Sequence, residues 1–252
     1  MQDRYILGVD VGGSGIKGAV VDVETGELQT ERLRVKTPQP ATPKAMAEAF
    51  AELVAQHEYK GLIGCGFPAI VKEGVALTAA NISSKWVGRS IVETFSLASS
   101  CPVEALNDAD AAGLAEMRFG LGKGHTGVVL LITIGSGLGS ALFVDGQLVP
   151  NTEFGHMILH GEAAEIYASN KTRKNEDLSW EKWGNRFNEY LAYAERIVNP
   201  DLVLLGGGIS KHFSKYEEYL DIDLKVKPAS LRNQAGTIGA ALHARQQVRK
   251  LY

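Results

Sequence analysis

The sequence predicts an α/β protein made of two similar halves that face each other across a cleft. Two observations lead to this fold class. An apolar, β-branched run at residues 5–11 is followed by a glycine-rich turn and a second strand-like run, and the same order returns at residues 127–144. Helical and strand-like segments follow each hairpin. An internal repeat of this kind indicates that one α/β unit is used twice, so two sets of backbone N–H groups would face one ligand.

The composition is typical of a globular chain and excludes several classes of protein. The chain has 252 residues, 45% hydrophobic and 22% charged, which excludes a disordered or collagen-like protein. Its 26 basic and 29 acidic residues leave a net charge of −3, so we expect neither a nucleic-acid nor a membrane partner. Cys65 and Cys101 lack metal-ligand spacing. We expect two reduced, mostly buried thiols in a cytoplasmic protein without a signal peptide.

The first half of the chain begins with a predicted meander. Residues 5–11, 16–23 and 28–36 are interpreted as three antiparallel strands joined by tight turns. Thr42 is placed to cap a helix whose first residue is Pro43. The apolar face of that helix is predicted to consist of Met46, Ala49, Phe50, Leu53 and Val54.

The second half repeats the first hairpin with one residue fewer. This length difference appears when Asp10 is set over Thr133 and the two glycine turns are compared. We expect a small α/β domain over residues 1–106, with the C-terminal helix (about 236–252) packing back on it. A large α/β domain is expected over residues 107–235.

Three further elements are predicted after residue 106. Asp145-Gly146 is typical of a type I′ hairpin turn, and residues 107–119 form an alanine-rich helix with an acidic start. Ser179 is expected to cap a long amphipathic helix. The apolar stripe predicted for this helix is Trp183, Phe187, Tyr190, Ala194 and Ile197.

The first glycine turn is the strongest local signal for ligand binding. Glycines at residues 12–15 let the backbone approach phosphate oxygens closely, and successive N–H groups form an anion-binding nest. Asp10 can hold Mg²⁺ through water, and Lys17 offers a positive charge to phosphate. A plain glycine-rich hairpin is the alternative for one such loop. The matching turn at residues 135–139 makes that alternative much weaker.

A third glycine cluster follows an apolar strand at residues 202–205. Gly206, Gly207 and Gly208 precede a polar segment that is predicted to start a helix. Such a cluster can seat a flat base or a phosphate at a helix N-terminus. A simple strand-to-helix turn explains it equally well.

Polar residues open the helix predicted at residues 107–119. A helix N-terminus requires one N-cap, so Asn107, Asp108 and Asp110 exceed what capping needs. The helix dipole keeps a carboxylate there ionised. We favour Asp108 as a general base that takes a proton from an attacking hydroxyl.

A Glu and a His follow the second hairpin in a pattern suited to sugar recognition. Glu153 and His156 flank a glycine and can hydrogen-bond several hydroxyl groups, and Glu165 lies on a predicted helix. Read singly, His156 would be a satisfied buried histidine. Glu165 would be a solvated surface charge.

Five stretches taken together are typical of one family. They are DVGGSGIKG at 10–18, TPQPATP at 37–43, NDADAA at 107–112, VPNTEFGH at 149–156 and LSWE at 178–181. The combination resembles the ROK family of sugar kinases and sugar-responsive repressors, which belongs to the actin-like ATPase (ribonuclease H-like) superfamily. It is most similar to the polyphosphate glucokinases and glucomannokinases of that family. The resemblance extends from Tyr5 to about His243.

The resemblance implies roles for the residues that match the family's motifs. Asp108 matches the catalytic aspartate. The residues implied to bind glucose are Asn81, Asn107, Asp108, Glu153, His156 and Glu165. The residues implied to bind phosphate are Asp10, Gly12, Gly13, Ser14, Gly15, Lys17, Thr133, Gly135, Ser136, Gly137 and Gly139. Gly206, Gly207 and Gly208 match the adenosine motif and are implied to bind the donor.

Departures from the wider family favour the polyphosphate subgroup. The stretch at residues 160–165 has no cysteine, whereas many family members carry a zinc motif there, so no zinc is expected. The wider family usually places a lysine soon after the residue that matches Gly13. In this chain Gly15 lies in that region, and the lysine is Lys17. No helix-turn-helix precedes residue 5, which argues against the repressors.

The expected activity is transfer of a phosphoryl group from inorganic polyphosphate to the 6-hydroxyl of glucose, with Mg²⁺. ATP as a second donor and mannose as a second sugar stay open, and a homodimer is expected. The alternatives are an ATP-only hexose kinase, a non-catalytic sugar sensor and a structural actin-like ATPase. A basic track for a long polyanion is suggested at Lys85, Arg89, Lys123, Lys171, Arg173 and Lys174, although solvated surface explains each lysine or arginine singly.

Overall fold

The structure is a computed structural model that describes residues 4–80 and 82–250. The chain divides into two compact units. The first comprises residues up to Ala115 together with those from Gln234 onward, and the second comprises residues 116–233. The domain boundaries predicted at residues 106 and 235 stay predictions.

The first unit is built on a five-stranded mixed sheet. Its strands are β1 (Tyr5–Gly12), β2 (Gly15–Asp22), β3 (Leu33–Val35), β4 (Ile63–Phe67) and, after a small hairpin of β5 (Val71–Lys72) and β6 (Val75–Ala76), β7 (Val103–Asn107). The order in the sheet is β3-β2-β1-β4-β7. The first three strands are antiparallel, and β1, β4 and β7 are parallel. The helices that alternate with these strands or follow them in the chain are α1 (Pro43–Gln56), α2 (Ile91–Ser99) and α3 (Asp108–Phe119).

The predicted meander is confirmed, but its third strand is shorter than residues 28–36. Leu28 makes only an isolated bridge to Val21. The hydroxyl of Thr30 accepts the N–H of Val20, so a side chain replaces the backbone acceptor that a continuing strand would offer. Regular pairing therefore resumes only at Leu33.

Helix α1 begins and packs as predicted. Thr42 Oγ1 accepts the N–H of Ala45, and Pro43 opens the helix. The residues of the predicted apolar face, Met46, Ala49, Phe50, Leu53 and Val54, are buried. Phe50 stacks on Phe95 of α2 at a centroid distance of 4.3 Å. The two helices therefore cover one face of the sheet with a shared aromatic core.

The second unit repeats the topology of the first sheet. Its strands are β8 (Val128–Ile134), β9 (Leu138–Val144), β10 (Gln147–Val149), the small pair β11 (Ile158–Leu159) and β12 (Glu162–Ala163), β13 (Leu202–Gly206) and β14 (Val226–Pro228). The order is β10-β9-β8-β13-β14, with an antiparallel hairpin at one side and parallel strands at the other. The helices are α4 (Ala164–Ala168), α5 (Asn170–Asn175) and α6 (Trp180–Val198).

The hairpin alignment made from sequence agrees with the strand registers. Asp10 pairs with Lys17, seven residues on, whereas Thr133 pairs with Gly139, six residues on. The turn at Asp145-Gly146 has positive φ at both residues, as a type I′ turn requires. The second hairpin is thus one residue shorter between matching positions.

Helix α6 confirms most of its predicted stripe but not its last member. Ser179 caps the helix, and Trp183, Phe187, Tyr190 and Ala194 are buried. Ile197 is 53% exposed, so placing it in the core was wrong. Because 3.6 residues make a turn, the inward direction passes to Leu191 and Val198 instead.

The chain ends in α7 (Ala235–Lys250), which packs on β1, β4 and β7 of the first unit. Both cysteines are buried, free thiols, as expected. Among the described residues, none of the helices has the length and apolar character needed to cross a bilayer.

Candidate active site

The carboxyl edge of the first sheet gathers the predicted catalytic and phosphate-binding residues of that unit. Strands β1, β4 and β7 are parallel and therefore end at one edge. Asp10 pairs with Gly66, which in turn pairs with Leu106. Asp108 lies two residues beyond Leu106, and its Cα is 3.5 Å from the position that a Cβ on Gly66 would take. The glycine turn and Asp108 therefore share one edge of this sheet.

The first glycine turn, called loop 1 below, is residues 12–15 between β1 and β2. Gly12 pairs with Gly15, which leaves Gly13 and Ser14 exposed at the tip. The Thr37 hydroxyl donates to the carbonyl of Gly12 at 2.6 Å. A guanidinium N–H of Arg34 donates to the carbonyl of Ser14 at 2.7 Å. Carbonyls of loop 1 are thus held from the β3 side, and Gly13 at its tip is open to a ligand.

Asp10 and Lys17 form a charged pair beneath loop 1. Lys17 Nζ lies 3.7 Å from Asp10 Oδ2. Burial raises the pKa of Asp10, and the charges of Lys17 and Arg32 oppose that rise. One hard carboxylate beside a phosphate nest fits a Mg²⁺ ion that keeps most of its waters and arrives with phosphate oxygens.

Asn107 and Asp108 begin helix α3. The amide oxygen of Asn107 accepts the N–H groups of Ala109 and Asp110 at 2.8 and 3.0 Å, and its Nδ2 donates to the carbonyl of Ala69. Asn107 is therefore the N-cap. Asp108 Oδ1 accepts the N–H of Ala109 at 2.9 Å, and its side chain is only partly buried. The capping role therefore belongs to Asn107, and the first residue of α3 is Asp108.

Asn81, the remaining predicted sugar ligand of this part of the chain, lies outside the described residues.

The second sheet brings two glycine clusters to its own carboxyl edge. Strands β8 and β13 are parallel neighbours, and Thr133 pairs with Gly206. Loop 2, residues 135–137, is closed by the N–H of Gly135, which donates to the carbonyl of Gly137 at 3.0 Å. Ser136 is exposed at its tip, and Gly139 lies within β9. The second phosphate motif and the predicted adenosine motif thus adjoin each other.

Gly207 needs to be glycine for two reasons. Its φ is +76°, and a Cβ there would collide with the backbone of Ile134. Gly208 is exposed, with open space where its side chain would be. The helix expected after this cluster is instead an irregular 3₁₀ segment, Ser210–Lys215, with non-helical backbone at His212. The glycine cluster is therefore not followed by the regular helix N-terminus that was expected to seat a base or a phosphate.

The predicted sugar-binding residues of the second unit lie close together. His156 Nε2 is 3.7 Å from Glu165 Oε1. Glu165 Oε2 accepts the N–H of Leu138 at 3.3 Å, which ties α4 to the start of β9. Burial raises the pKa of Glu153; the Glu165 charge adds to the rise and His156 opposes it. His156, Glu165 and the half-buried Glu153 thus form one polar cluster.

Ser140 positions this cluster and was missed by sequence reasoning. It is almost fully buried, donates to the carbonyl of Thr152 at 2.6 Å and accepts the N–H of Phe154 at 2.9 Å. Those two bonds hold Glu153 from both sides. A buried serine in an otherwise apolar strand was the available signal.

Three of the six basic residues suggested for a polyanion track lie together on one helix. Lys171, Arg173 and Lys174 share helix α5, and the N–H of Lys171 donates to the carbonyl of Gly135 in loop 2. The guanidinium of Arg173 lies over Trp180, 4.2 Å from the ring centroid. Lys85 lies in a short 3₁₀ segment, and Arg89 and Lys123 lie in connecting segments, so a continuous track stays a prediction.

Within the described part of the chain, no three His, Cys, Asp or Glu side chains group in a way that could hold a metal ion. The expectation of a zinc-free protein stays a prediction.

Comparison with known proteins assigns the family. The model of the ROK family matches residues 6–174. This chain belongs to the ROK family. It is 44% identical over 240 residues to the polyphosphate glucokinase of Mycobacterium tuberculosis, covering 95% of this chain and 91% of that protein. The polyphosphate glucokinase of Mycobacterium leprae is 40% identical over 237 residues, which is 94% of this chain and 73% of the relative.

Solved structures of ROK proteins share the fold. The inorganic polyphosphate/ATP-glucomannokinase of Arthrobacter sp. strain KM superimposes with a TM-score of 0.94 at 43% identity, covering 97% of this chain and 99% of that one. A ROK glucokinase of Streptomyces griseus, solved with glucose and AMPPNP, gives a TM-score of 0.83 at 25% identity, covering 96% and 99%. The fold is the actin-like ATPase fold expected from the sequence, with two α/β units of matching topology.

Proposed function

We propose that this ROK protein is a glucokinase that transfers a phosphoryl group from inorganic polyphosphate to the 6-hydroxyl of glucose. The observation that carries the proposal is the 44% identity to a polyphosphate glucokinase over 95% of the chain. The motifs that could perform the reaction lie in the shared stretch. ATP is proposed as a second donor and mannose as a second sugar, in line with the polyphosphate/ATP-glucomannokinase structure.

Asp108 is the proposed general base. Its carboxylate takes the proton of the 6-hydroxyl while that oxygen attacks the terminal phosphorus. The bond from that phosphorus to the next bridging oxygen breaks, and the shortened polyphosphate leaves. The dipole of α3 favours the ionised carboxylate before the reaction.

The glycine loops and charged groups serve the donor in this proposal. Backbone N–H groups of loop 1, and those of Ser136 and Gly137 in loop 2, would donate to phosphate oxygens, and Lys17 adds a positive charge. Mg²⁺, when bound, neutralises charge on the donor oxygens, and Asp10 would hold it through water. Gly206, Gly207 and Gly208 would seat the adenosine of ATP. Positioning and electrostatics carry most of such a transfer.

Polar side chains are proposed to bind the hydroxyl groups of glucose. Asn107, Glu153, His156 and Glu165 are the proposed ligands, together with Asn81. Carboxylates accept from sugar hydroxyls, while the Asn107 amide and the His156 ring can donate.

We further propose a cytoplasmic homodimer; the buried free thiols suit a reducing compartment.

A panel of phosphoryl donors tests the proposal. Purified protein with Mg²⁺ and glucose is given long-chain polyphosphate, tripolyphosphate or ATP, and glucose 6-phosphate is measured. We expect the highest kcat/KM with long-chain polyphosphate. Activity with ATP alone would refute the donor. Glucose binding without turnover by any donor would indicate a sugar sensor, and ATP hydrolysis indifferent to glucose would indicate a structural ATPase.

An ATP-only hexose kinase is the second candidate. The observation that favours it is the similarity to the Streptomyces griseus glucokinase solved with AMPPNP, together with the exposed glycine at 208. The same panel separates the two candidates.

A further inference from the structure

An open pocket of about 530 Å³ lies beside loop 1 in the first unit. Its lining residues are Gly13, Ser14, Arg34, Lys36, Thr37 and Gln39. Two of the six carry a positive charge, and none of them carries a carboxylate. The volume lies in the range of small-ligand pockets, about 300–1,000 Å³. A cavity with this lining is suited to an anion.

The strand register explains why the cavity adjoins the phosphate site. Asp10 pairs with Lys17 across β1 and β2, and Lys17 pairs with Arg34 across β2 and β3. Directly paired residues point to the same face of a sheet. Arg34 therefore continues, towards the sheet edge, the charged row that begins at Asp10 and Lys17. Lys36 follows two residues after Arg34, on an exposed position.

Arg34 is held in place before any ligand binds. Its guanidinium donates to the carbonyl of Ser14 at 2.7 Å and lies against Gly15, where a Cβ would collide with its Nε. Glycine at residue 15 is thus required for this close approach. Thr37 is almost fully buried and bonded to Gly12. The cavity wall is therefore preorganised, with N–H groups of Arg34 available beyond the one bonded to Ser14.

We propose that this cavity binds the phosphate groups of polyphosphate that lie beyond the third, counted from the transferred end. The inference rests on the proposed function and names a donor subsite within it. Arg34 offers a planar fork of donors to phosphate oxygens, and Lys36 adds a point charge. Gln39 and the tip of loop 1 supply uncharged donors. A chain of repeated anionic units engages all of these groups, whereas ATP carries no phosphate beyond its three.

The test compares two donors in charge-removing variants. In Lys36→Gln, we expect KM for long-chain polyphosphate to rise about tenfold, as for loss of one charge-assisted contact. KM for ATP is expected to rise less than threefold. Arg34→Gln should have the larger effect, and Arg34→Lys should recover part of it. Lys60→Gln removes an equally exposed positive charge of the same unit that does not line the cavity, and KM should stay at the wild-type value.

Two results would overturn the inference. One is an equal rise, in Lys36→Gln, of the KM for polyphosphate and the KM for ATP. That result would mean that Lys36 acts by shaping loop 1, which serves both donors. The other is wild-type KM for polyphosphate in both Lys36→Gln and Arg34→Gln. If the wild-type protein does not turn over polyphosphate, the proposed function fails and direct binding of polyphosphate by calorimetry decides the subsite. Weaker binding by Lys36→Gln than by Lys60→Gln then supports it, and equal binding overturns it.

Discussion

Asn107 and Asp108 have different roles at the start of α3, and their hydrogen bonds show the difference. The amide oxygen of Asn107 accepts hydrogen bonds from two N–H groups of the first helical turn. Asp108 keeps a partly exposed carboxylate at the first position of α3. The sequence predicted the polar start of this helix. It could not decide which residue caps it, because the choice depends on where β7 ends and the first helical N–H groups point.

Asp108→Asn tests the base assignment. An amide keeps the shape and the hydrogen bond to Ala109 but takes no proton. We expect kcat to fall by about 10²–10⁴-fold, with the Kd for glucose changed less than about threefold. Turnover by coupled assay and glucose binding by calorimetry check both parts.

Asp223→Asn, at an exposed position, is the control and should retain wild-type kcat. Near-wild-type turnover of Asp108→Asn would refute its role as base.

The raised pKa of Glu153 predicts how sugar binding depends on pH. Only the ionised carboxylate accepts at both oxygens, and burial raises the pKa of Glu153. Glucose affinity should therefore fall on acidification at a pH above the ordinary range for glutamate, about 4.3. Calorimetric titration of glucose at a series of pH values measures this. Glu153→Gln should bind glucose more weakly at neutral pH and lack this acidic limb; an unchanged profile in Glu153→Gln would contradict the assignment.

The same pKa shift has a consequence for folding stability. A glutamate whose folded pKa is raised above its unfolded value costs stability once it is ionised, fully so above the folded pKa. At neutral pH, Glu153→Gln should therefore raise Tm while lowering sugar affinity, and this gain should disappear below the unfolded pKa. Thermal unfolding at neutral and acidic pH checks the sign, and a lower Tm at neutral pH would contradict it.

At the scale of single elements, α3 carries a buried glutamate that the sequence analysis overlooked. Glu116 is fully buried and accepts the N–H groups of Leu121 and Leu231 and the hydroxyl of Ser230. It joins the end of α3 to a segment more than one hundred residues later. Its helical spacing from the buried Ala109 and Gly113 was the available signal.

Glu116→Ala should destabilise the second unit by about 2–4 kcal/mol, because three donors lose a charged acceptor. Urea unfolding followed by tryptophan fluorescence in a Trp86→Phe background, where only Trp180 and Trp183 of α6 report, measures the change. Glu116→Gln should cost less because it keeps one acceptor oxygen. Glu48→Ala, at an exposed position of α1, should change stability by less than about 0.5 kcal/mol. An equal cost for Glu48→Ala and Glu116→Ala would contradict the role of Glu116.

At the scale of the whole molecule, the proposed dimer has a candidate contact surface. Four large apolar side chains of neighbouring elements are exposed: Ile158, Ile166, Tyr193 and Ile197. Exposed apolar side chains on elements that contact one another are candidates for an association surface. We expect a dimer by light scattering after size exclusion, and Ile197→Glu should shift it towards monomer. Leu97→Glu changes a side chain that is 76% exposed in the other unit. It should leave the dimer intact, and a monomeric wild-type protein would contradict the proposal.

The sequence by itself determined the repeated hairpins, the caps of α1 and α6, most of the core faces and the family. These features depend on residue types at short, regular spacings, because hydrophobic periodicity and capping act between residues close together in the chain. Tertiary structure alone decided the short β3, the irregular segment after the glycine triplet and the contacts of Arg34, Ser140 and Glu116. Each of these depends on which groups distant in the chain become neighbours through strand register and packing, and no local pattern encodes that choice.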